Sequence, residues 1–532
     1  MIREYENVRE MIEDVSVRFA GNKAFIVKEK ANGNVNYINI TFKMLREEIE
    51  AFSKYLLVHG LQGKRIAVIG KNSYNWMLVY LSALCSGSVI VPLDKGLMEY
   101  EIKEQLKRSE ADAVFYGREY ENIFAEIDDA VKVCTDGDEF KEILKEGYSL
   151  TNDEDYRNIT VDSRAMSILL FTSGTTSKSK AVMLSQKNIM ADVYGMSLWE
   201  KFYSTDINLA ILPFHHTFGM TQVVLFLSYG MCNVFCEGIR IAKALSEYKV
   251  TVLVAVPRIV EEMQSIIMRK LKSMNKVDTV NKGIKITSLL KKFGIDIRRK
   301  IFKDIIEGLG GGLRSIIVGA APSKPDVLEW FNAIGILTVQ GYGLTETAPC
   351  LAAENEKCMR RGSVGKALPN VDIKICDKDE NGIGEIAAKG DMVMLGYYKA
   401  EEETARVLKD GYFYTGDMGY TDKDGYLFIT GRKKNVIVLK NGKNVFPEEL
   451  EFLLEKCDAI KECIVYNSIT DSKDCICAKI VYNTDLEEAQ AKEMINSHIR
   501  SVNESLISYK QIKHVEITDK EMEKTTTLKI KR

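Results

Sequence analysis

The stretch Thr172-Ser173-Gly174-Thr175-Thr176-Ser177-Lys178-Ser179-Lys180 places six hydroxyl side chains, one glycine and two lysines within nine residues. That composition suits phosphate. Successive backbone N–H groups at a glycine-containing turn form an anion cradle, hydroxyls add donors, and Lys178 and Lys180 add positive charge. It is not a nucleotide-binding loop of the G-x-x-x-x-G-K-[ST] type, because that spacing needs Gly at 179, where the chain has Ser. A polar β-hairpin turn would use the same residues, and the stretch by itself does not separate the two readings. Further candidates follow downstream. His215 and His216 lie in Pro213-Phe214-His215-His216-Thr217-Phe218-Gly219-Met220, where two histidines past a strand end could serve a site or simply cap and pack. In Gly341-Tyr342-Gly343-Leu344-Thr345-Glu346-Thr347 the glycines permit close backbone approach and Tyr342 offers a flat face. Thr345 and Glu346 suit a phosphate and its metal.

These residues need elements to hold them at the ends of strands. Apolar periodicity predicts a helix over 42–59, a strand over 64–70, a helix over 74–85, a strand over 88–93, a helix over 99–109 and a strand over 112–116. Strand and helix alternating at this pitch mean a parallel-type sheet covered by helices, which binds ligands at the carboxyl ends of its strands. Met166 to Phe171 is then a buried strand that empties into the polar stretch. Strands are also expected over 209–212, 251–256, 315–318 and 336–339, and Gly308, Gly310, Gly311 and Gly312 read as a flexible connection. Beyond Arg361 shorter β-like runs with turns indicate a small β-rich subdomain over about 350–431. A compact α+β domain follows over 432–532.

At 532 residues the chain is too long for one core. With 73 Lys and Arg against 75 Asp and Glu it lacks the basic surplus of a general nucleic-acid binder, so no nucleic acid is expected as a partner. The opening Met1-Ile2-Arg3-Glu4-Tyr5 has charge and no apolar run, so no signal peptide is expected. Eleven scattered cysteines without C-x-x-C spacing read as reduced core thiols of a cytoplasmic protein. One segment departs from the neutral average. Residues 269–303 carry twelve Lys and Arg against two Asp, with apolar residues at Ile286, Leu289, Leu290, Phe293, Ile295, Ile297 and Ile301. It reads either as a solvated insertion or as a basic amphipathic patch that meets an anionic membrane surface.

Taken in order, the 172–180 loop, the 213–219 segment, Gly341 to Thr347, Tyr414-Thr415-Gly416-Asp417, Gly431-Arg432 and a final Lys529 resemble the adenylate-forming superfamily, which includes acyl-CoA synthetases. The resemblance runs from about residue 20 to the end. It implies a large α/β N-terminal domain (1–431) and a small mobile C-terminal domain (432–532) with a hinge at Lys434. It also implies ATP, Mg²⁺ and coenzyme A as cofactors, and a carboxylic acid activated first to an acyl-adenylate and then transferred to a thiol. Residue by residue, it implies that Thr172, Ser173, Gly174, Thr175, Thr176 and Lys180 hold the β- and γ-phosphates. Tyr342 and Gly343, with Gly319, Ala320 and Ala321, would line the adenine pocket. Thr345 would bind the α-phosphate, Glu346 Mg²⁺, and Asp417 the ribose with Arg432 beside it. His216 would stand at the acyl-carboxylate end, Lys529 would bridge carboxylate and α-phosphate, and Gly442 and Lys443 would face coenzyme A.

The chain departs from the family's usual glycine and proline at Ser177, Ser179, Ala181 and Leu528. Loss of glycine narrows the φ range of both loops. The 213–219 segment together with the basic insertion looks most like the long- or medium-chain fatty acyl-CoA synthetases. Loading of a carrier-protein phosphopantetheine, or a nucleotide-binding protein that no longer catalyses, are the alternatives.

Overall fold

The computed structural model describes residues 3–31, 34–126, 130–151, 153–172, 179–236, 241–439, 443–470, 473–524 and 530. Two compact units emerge. The first comprises residues 1–172, 180–372 and 389–411, and the second includes 373–388 and 412–532.

The first unit is built on two sheets. One orders its strands Gly396–Tyr397, Lys180–Ser185, Met166–Thr172, Val89–Pro92, Arg65–Ile69, Ala113–Tyr116 and Val131–Cys134. The five strands from Met166–Thr172 onward are parallel, as the strand and helix alternation requires, and the first two are added antiparallel. The second sheet runs Lys366–Ala367, Cys350–Ala353, Leu337–Gly343, Ser315–Val318, Val252–Ala255, Ile207–Leu209, Cys232–Val234, Lys23–Ala31 and Asn34–Thr41, again parallel in the middle and antiparallel at both edges. The sheets are therefore mixed rather than purely parallel. A residue pattern specifies a strand's burial, whereas direction at an edge is set by the chain's return path.

Helices Tyr74–Cys85 and Glu99–Ser109 have the expected bounds. The first begins where the Ser73 hydroxyl accepts the Trp76 N–H, a side-chain cap that satisfies one of the helix's orphan donors. The strand expected over 209–212 is instead Ile207–Leu209. Asn72 explains the early end: its amide donates to the carbonyls of Ala210 (3.2 Å) and Leu212 (2.7 Å) and accepts the Phe214 N–H (3.2 Å). The Gly308–Gly312 run is a packed turn, not a loose connection. Gly310 has φ +91°, and a Cβ there would lie 2.4 Å from the Leu245 carbonyl oxygen.

Two buried carboxylates show how charge is accommodated. Burial pushes Asp206 up, but hydrogen bonds from Arg314, Thr251 and the Tyr203 N–H outweigh it and hold the carboxyl below its ordinary value. Glu354 has no such cation. It accepts the N–H groups of Arg360 (3.0 Å) and Gln340 (3.3 Å), and burial raises its pKa to about 7. Because the folded-state value lies above the unfolded one, stability falls as pH rises from about 4.5 to 7, and the whole cost is present above that window. The Arg360 and Gln340 N–H groups bond different oxygens of Glu354, so Glu354→Gln keeps one acceptor, loses the other and removes the charge. The lost hydrogen bond costs the same at every pH, so urea unfolding is expected to show the stability of the variant relative to wild type improving by about 2–3 kcal/mol between pH 5 and pH 8. A pH-independent difference would contradict this account.

In the second unit, the strands Asp372–Cys376, Gly384–Lys389, Tyr412–Thr421 and Leu427–Arg432 lie side by side in that order. A three-stranded sheet, Ile460–Thr470, Lys473–Tyr482 and Ile512–Thr518, carries the helices Pro447–Leu454 and Glu488–Ser505. Val445, Leu450, Ala478, Ile480, Ala491 and Ile495 form its core. Among the described residues no helix is long and apolar enough to cross a membrane, and none of the eleven cysteines forms a disulfide.

Candidate active site

The strands Met166–Thr172 and Lys180–Ser185 are antiparallel neighbours with Thr172 opposite Lys180, and the Thr172 hydroxyl donates to the Lys180 carbonyl at 3.3 Å. Ser173, Gly174, Thr175 and Thr176 lie outside the described residues. The flanks alone fix where the polar loop leaves and rejoins the sheet. At the rejoining end the Lys180 ammonium sits 4.5 Å from the centre of the Tyr397 ring, and the Tyr397 hydroxyl donates to Glu346 Oε1 at 2.9 Å. The structure thus brings Lys180 and Glu346 together through a residue that carries no sequence motif. Tyr397 is buried, and its strand is held against Val182 and Met183.

Glu346 and Thr345 belong to a short 3-10 turn, Thr345–Thr347, after the strand Leu337–Gly343. Thr347 braces that turn: its hydroxyl accepts the Leu344 N–H and donates to the Pro349 carbonyl at 2.6 Å. The Glu346 carbonyl accepts the Met394 N–H at 2.8 Å. Gly343 is obligatory here, since a Cβ would lie 1.7 Å from the Pro349 oxygen. The brace leaves Thr345 and Glu346 half-buried at the carboxyl end of a sheet strand, where open α/β sheets bind ligands.

On the neighbouring strand end, Ala320 has φ +71°, a left-handed conformation uncommon outside glycine. Gly319 before it is wedged between the Phe218 ring and the Gly341 backbone: a Cβ would lie 3.1 Å from the ring and 3.5 Å from the Gly341 carbonyl oxygen. Ala320 and Ala321 are exposed and Tyr342 is half-buried. Phe218 comes from the helix Thr217–Ser228, whose N-cap is His216. The two histidines separate by environment. His215 is buried, 3.2 Å from Asp94; burial and the adjacent His216 push its pKa well down despite that carboxylate, so it is neutral near pH 7. His216 is half-exposed at the helix start. Gly219 cannot be replaced without moving Pro213, whose oxygen would lie 2.0 Å from its Cβ. Sequence reasoning missed Asn72, which clamps this segment from about 140 residues away.

In the second unit, Asp417 and Arg432 are opposed on adjacent strands, with Arg432 Nε 2.7 Å from Asp417 Oδ1. The Thr415 hydroxyl donates to the Ile386 carbonyl and accepts the Asp417 N–H, fixing a buried carboxylate at a Gly416 turn with φ +72°. Lys433 pairs with Glu385, and Lys434 is exposed in the turn Lys433–Asn435. Lys443 is held by Glu380. Gly442 and Lys529 lie outside the described residues. Near Lys529, Lys524 bridges Ile530 in antiparallel fashion and its ammonium is held by Glu462 and Glu521.

A magnesium ion fits Glu346 on chemical grounds. Mg²⁺ takes one or two carboxylates and completes its shell with phosphate oxygens and water. Glu346 has one oxygen engaged by Tyr397 and no cationic partner among the described residues. Those residues also contain no cluster of three or more His, Cys, Asp or Glu that would make an all-protein metal cage.

Comparison with known proteins identifies the family. The family described as AMP-binding enzyme matches residues 13–398. Fatty acyl-CoA synthetase B of Dictyostelium discoideum is 27% identical over 500 residues, covering 85% of this chain and 73% of that protein. A 2-succinylbenzoate–CoA ligase of Bacillus mycoides is 26% identical over 512 residues, covering 92% of each. The solved O-succinylbenzoate coenzyme A synthetase (MenE) of Bacillus subtilis, in complex with ATP and magnesium ion, superposes with a TM-score of 0.74 at 21% identity, covering 98% of each chain. The chain belongs to the AMP-binding enzyme family. Within it, its class is that of the adenylate-forming acid–CoA ligases.

Proposed function

We propose that this protein activates a fatty acid with ATP and transfers the acyl group to coenzyme A. The observation that carries the choice of acid is the helix Thr217–Ser228 behind His216. It is buried along nearly its whole length and contains no charged residue. With His216 at the carboxylate end, such a wall offers an alkyl chain apolar contact and gives a second carboxylate no ionic partner. The similarity to fatty acyl-CoA synthetase B supports the same reading.

In the first step a carboxylate oxygen attacks the α-phosphorus of ATP and pyrophosphate leaves. In the second the thiol sulfur of coenzyme A attacks the acyl carbonyl and AMP leaves. Catalysis of the first step is positioning and charge neutralisation. The loop from Thr172 to Lys180 takes the β- and γ-phosphates, Thr345 the α-phosphate, and Lys529 the charge that builds on the reacting oxygens. Tyr342, Gly343 and Gly319 to Ala321 hold adenine, and Asp417 with Arg432 holds the ribose. Magnesium, carried by Glu346, supplies charge neutralisation at the phosphates; Tyr397 keeps that carboxylate oriented. Lys434 serves as the hinge of the 432–532 domain, and Gly442 and Lys443 lie on the coenzyme A side. The protein is cytoplasmic, in keeping with cysteines that form no disulfide, and its basic 269–303 segment contacts an anionic membrane surface.

The test is a panel of saturated fatty acids, 2-succinylbenzoate, malonate and benzoate, each with ATP, Mg²⁺ and coenzyme A, read by AMP release. Fatty acids are expected to exceed the others by at least about tenfold in kcat/KM, the discrimination that one or two methylenes or an unpaired charge produce. Turnover confined to 2-succinylbenzoate would overturn the choice of acid. Acyl transfer only to a carrier-protein phosphopantetheine would overturn the acceptor.

A further inference from the structure

The helix Val277–Lys292 has two apolar faces, and one of them is uncovered. Val280 and Ile284 pack against the core around Val260, Phe302, Leu328 and Phe331, and Thr287 is buried on the same side. Ile286, Leu289 and Phe293, spaced i, i+3, i+7, share a different face and are 60%, 57% and 75% exposed. Ile295 and Ile301 continue the ridge at 51% and 53%. Five large apolar side chains, each more than half exposed within sixteen residues, form a patch rather than the scatter normal for a surface.

The charge around this ridge is divided between two jobs. Arg298 and Arg299 are turned inward: Arg298 forks onto Asp296 and donates to the Asn332 carbonyl, and Arg299 donates to the carbonyls of Leu313, Gly335 and Gly311. They hold the fold. The lysines do not: Lys282, Lys285, Lys292 and Lys300 are exposed and have no carboxylate partner among the described residues. Beside the helix opens a cavity of about 600 Å³ whose lining includes Ser288, Lys291, Lys292, Arg298, Arg360 and Arg361. Its carboxylates are already engaged, Glu329 by Arg361 and Glu354 by backbone N–H groups. An uncovered apolar ridge flanked by unpaired lysines is complementary to an acyl–headgroup boundary bearing negative charge.

We propose that the outer face of the helix Val277–Lys292 is the docking surface for an anionic phospholipid bilayer, with Ile286, Leu289 and Phe293 entering the interface. Lys282, Lys285 and Lys292 meet headgroup phosphates, and the cavity beside Lys291 and Lys292 admits one of them. The proposal rests on the reading that the basic segment contacts a membrane, and it names the face. It does not depend on which acid is activated.

The experiment is co-sedimentation of the full chain with phosphatidylglycerol and phosphatidylcholine vesicles at low and high salt. Three variants accompany the wild type: Leu289→Ser/Phe293→Ser, Lys282→Gln/Lys285→Gln/Lys292→Gln, and Ile295→Ser. Thermal melting and sedimentation velocity check fold and oligomeric state. Wild type is expected to pellet with phosphatidylglycerol only, and less so at high salt. The triple lysine variant is expected to bind about a hundredfold more weakly, and the Leu289/Phe293 variant at least about tenfold more weakly, each with an unchanged melting temperature. Ile295→Ser is expected to show a smaller loss. Wild type that fails to pellet would overturn the membrane reading itself. Wild type that pellets while the Leu289/Phe293 variant pellets equally would leave that reading standing and overturn this face. A Leu289/Phe293 variant that instead converts a dimer to a monomer would assign the ridge to a second copy of the chain and overturn the proposal.

Discussion

Lys529→Ala is expected to lower acid-dependent exchange of labelled pyrophosphate into ATP by about 10²–10³-fold, the scale of losing one preorganised electrostatic contact in a transition state. Thioester formation from supplied acyl-adenylate and coenzyme A is expected to survive within a few-fold. The asymmetry follows from where charge appears. In the first step negative charge builds on the oxygens between carboxylate and α-phosphorus, and an ammonium placed there stabilises the transition state more than the ground state. In the second step the α-phosphorus is a spectator, and the leaving group is AMP. A lysine that served only to anchor the end of the chain would weaken both steps together or lower the melting temperature. Equal loss of both steps would therefore remove Lys529 from its assigned role. Lys524 is the useful contrast, because its ammonium is already held by Glu462 and Glu521.

Glu346→Gln is expected to reduce kcat by a similar factor of about 10²–10³ with little change in melting temperature. Gln retains an oxygen that accepts the Tyr397 hydroxyl, so the 2.9 Å contact and the turn Thr345–Thr347 persist while the negative charge is lost. What disappears is affinity for a divalent cation. A titration of activity against Mg²⁺ concentration should shift to higher metal for the variant, and chelation should abolish wild-type activity. Tyr397→Phe isolates the positioning role. It keeps the ring under the Lys180 ammonium and removes one hydrogen bond to Glu346, so a loss of about tenfold, offset in part by added Mg²⁺, is expected. An unchanged Mg²⁺ dependence in both variants would exclude Glu346 as the metal carboxylate.

The parts of the site that were legible in the sequence are those that sit at strand ends. Gly319, Tyr342, Thr345 and Glu346 each follow a short apolar run, so a period-two or continuous apolar pattern places them at a carboxyl end without any knowledge of partners. Lys180, the first residue of its strand, was legible from the composition of the polar stretch before it, and Asp417, inside the strand Tyr412–Thr421, only through the family resemblance. From residue type and spacing the two histidines were legible only as a pair, and only the family resemblance singled out His216. Their separation into a buried His215 and a half-exposed His216 depends on Asp94 and on a helix N-cap, and neither is a local feature. Tyr397 gave no signal because its partners, Lys180 and Glu346, lie 217 and 51 residues away. Asn72 was silent for the same reason.

The basic 269–303 segment shows the limit of composition most plainly. Counting charge treats Arg298, Arg299 and Lys300 as one cluster, yet the two arginines are turned inward onto backbone carbonyls, and of the three only Lys300 remains for a partner. The glycine run at 308–312 is a second case. Glycine is compatible with a mobile linker and with a tight left-handed turn, and the closeness of Leu245 to Gly310 decides between them.

The amino-acid sequence by itself determined the class of fold, the order of the motifs and the candidate residues that carry charge or a hydroxyl. Those properties are written in residue types and in spacings shorter than one strand or helix. Only the tertiary structure decided which histidine is buried, which carboxylate has no cation among the described residues, which arginines are occupied and which tyrosine orients Glu346. Each of those outcomes is a contact between side chains far apart in the chain, whose energy depends on burial and distance, and no local pattern encodes either.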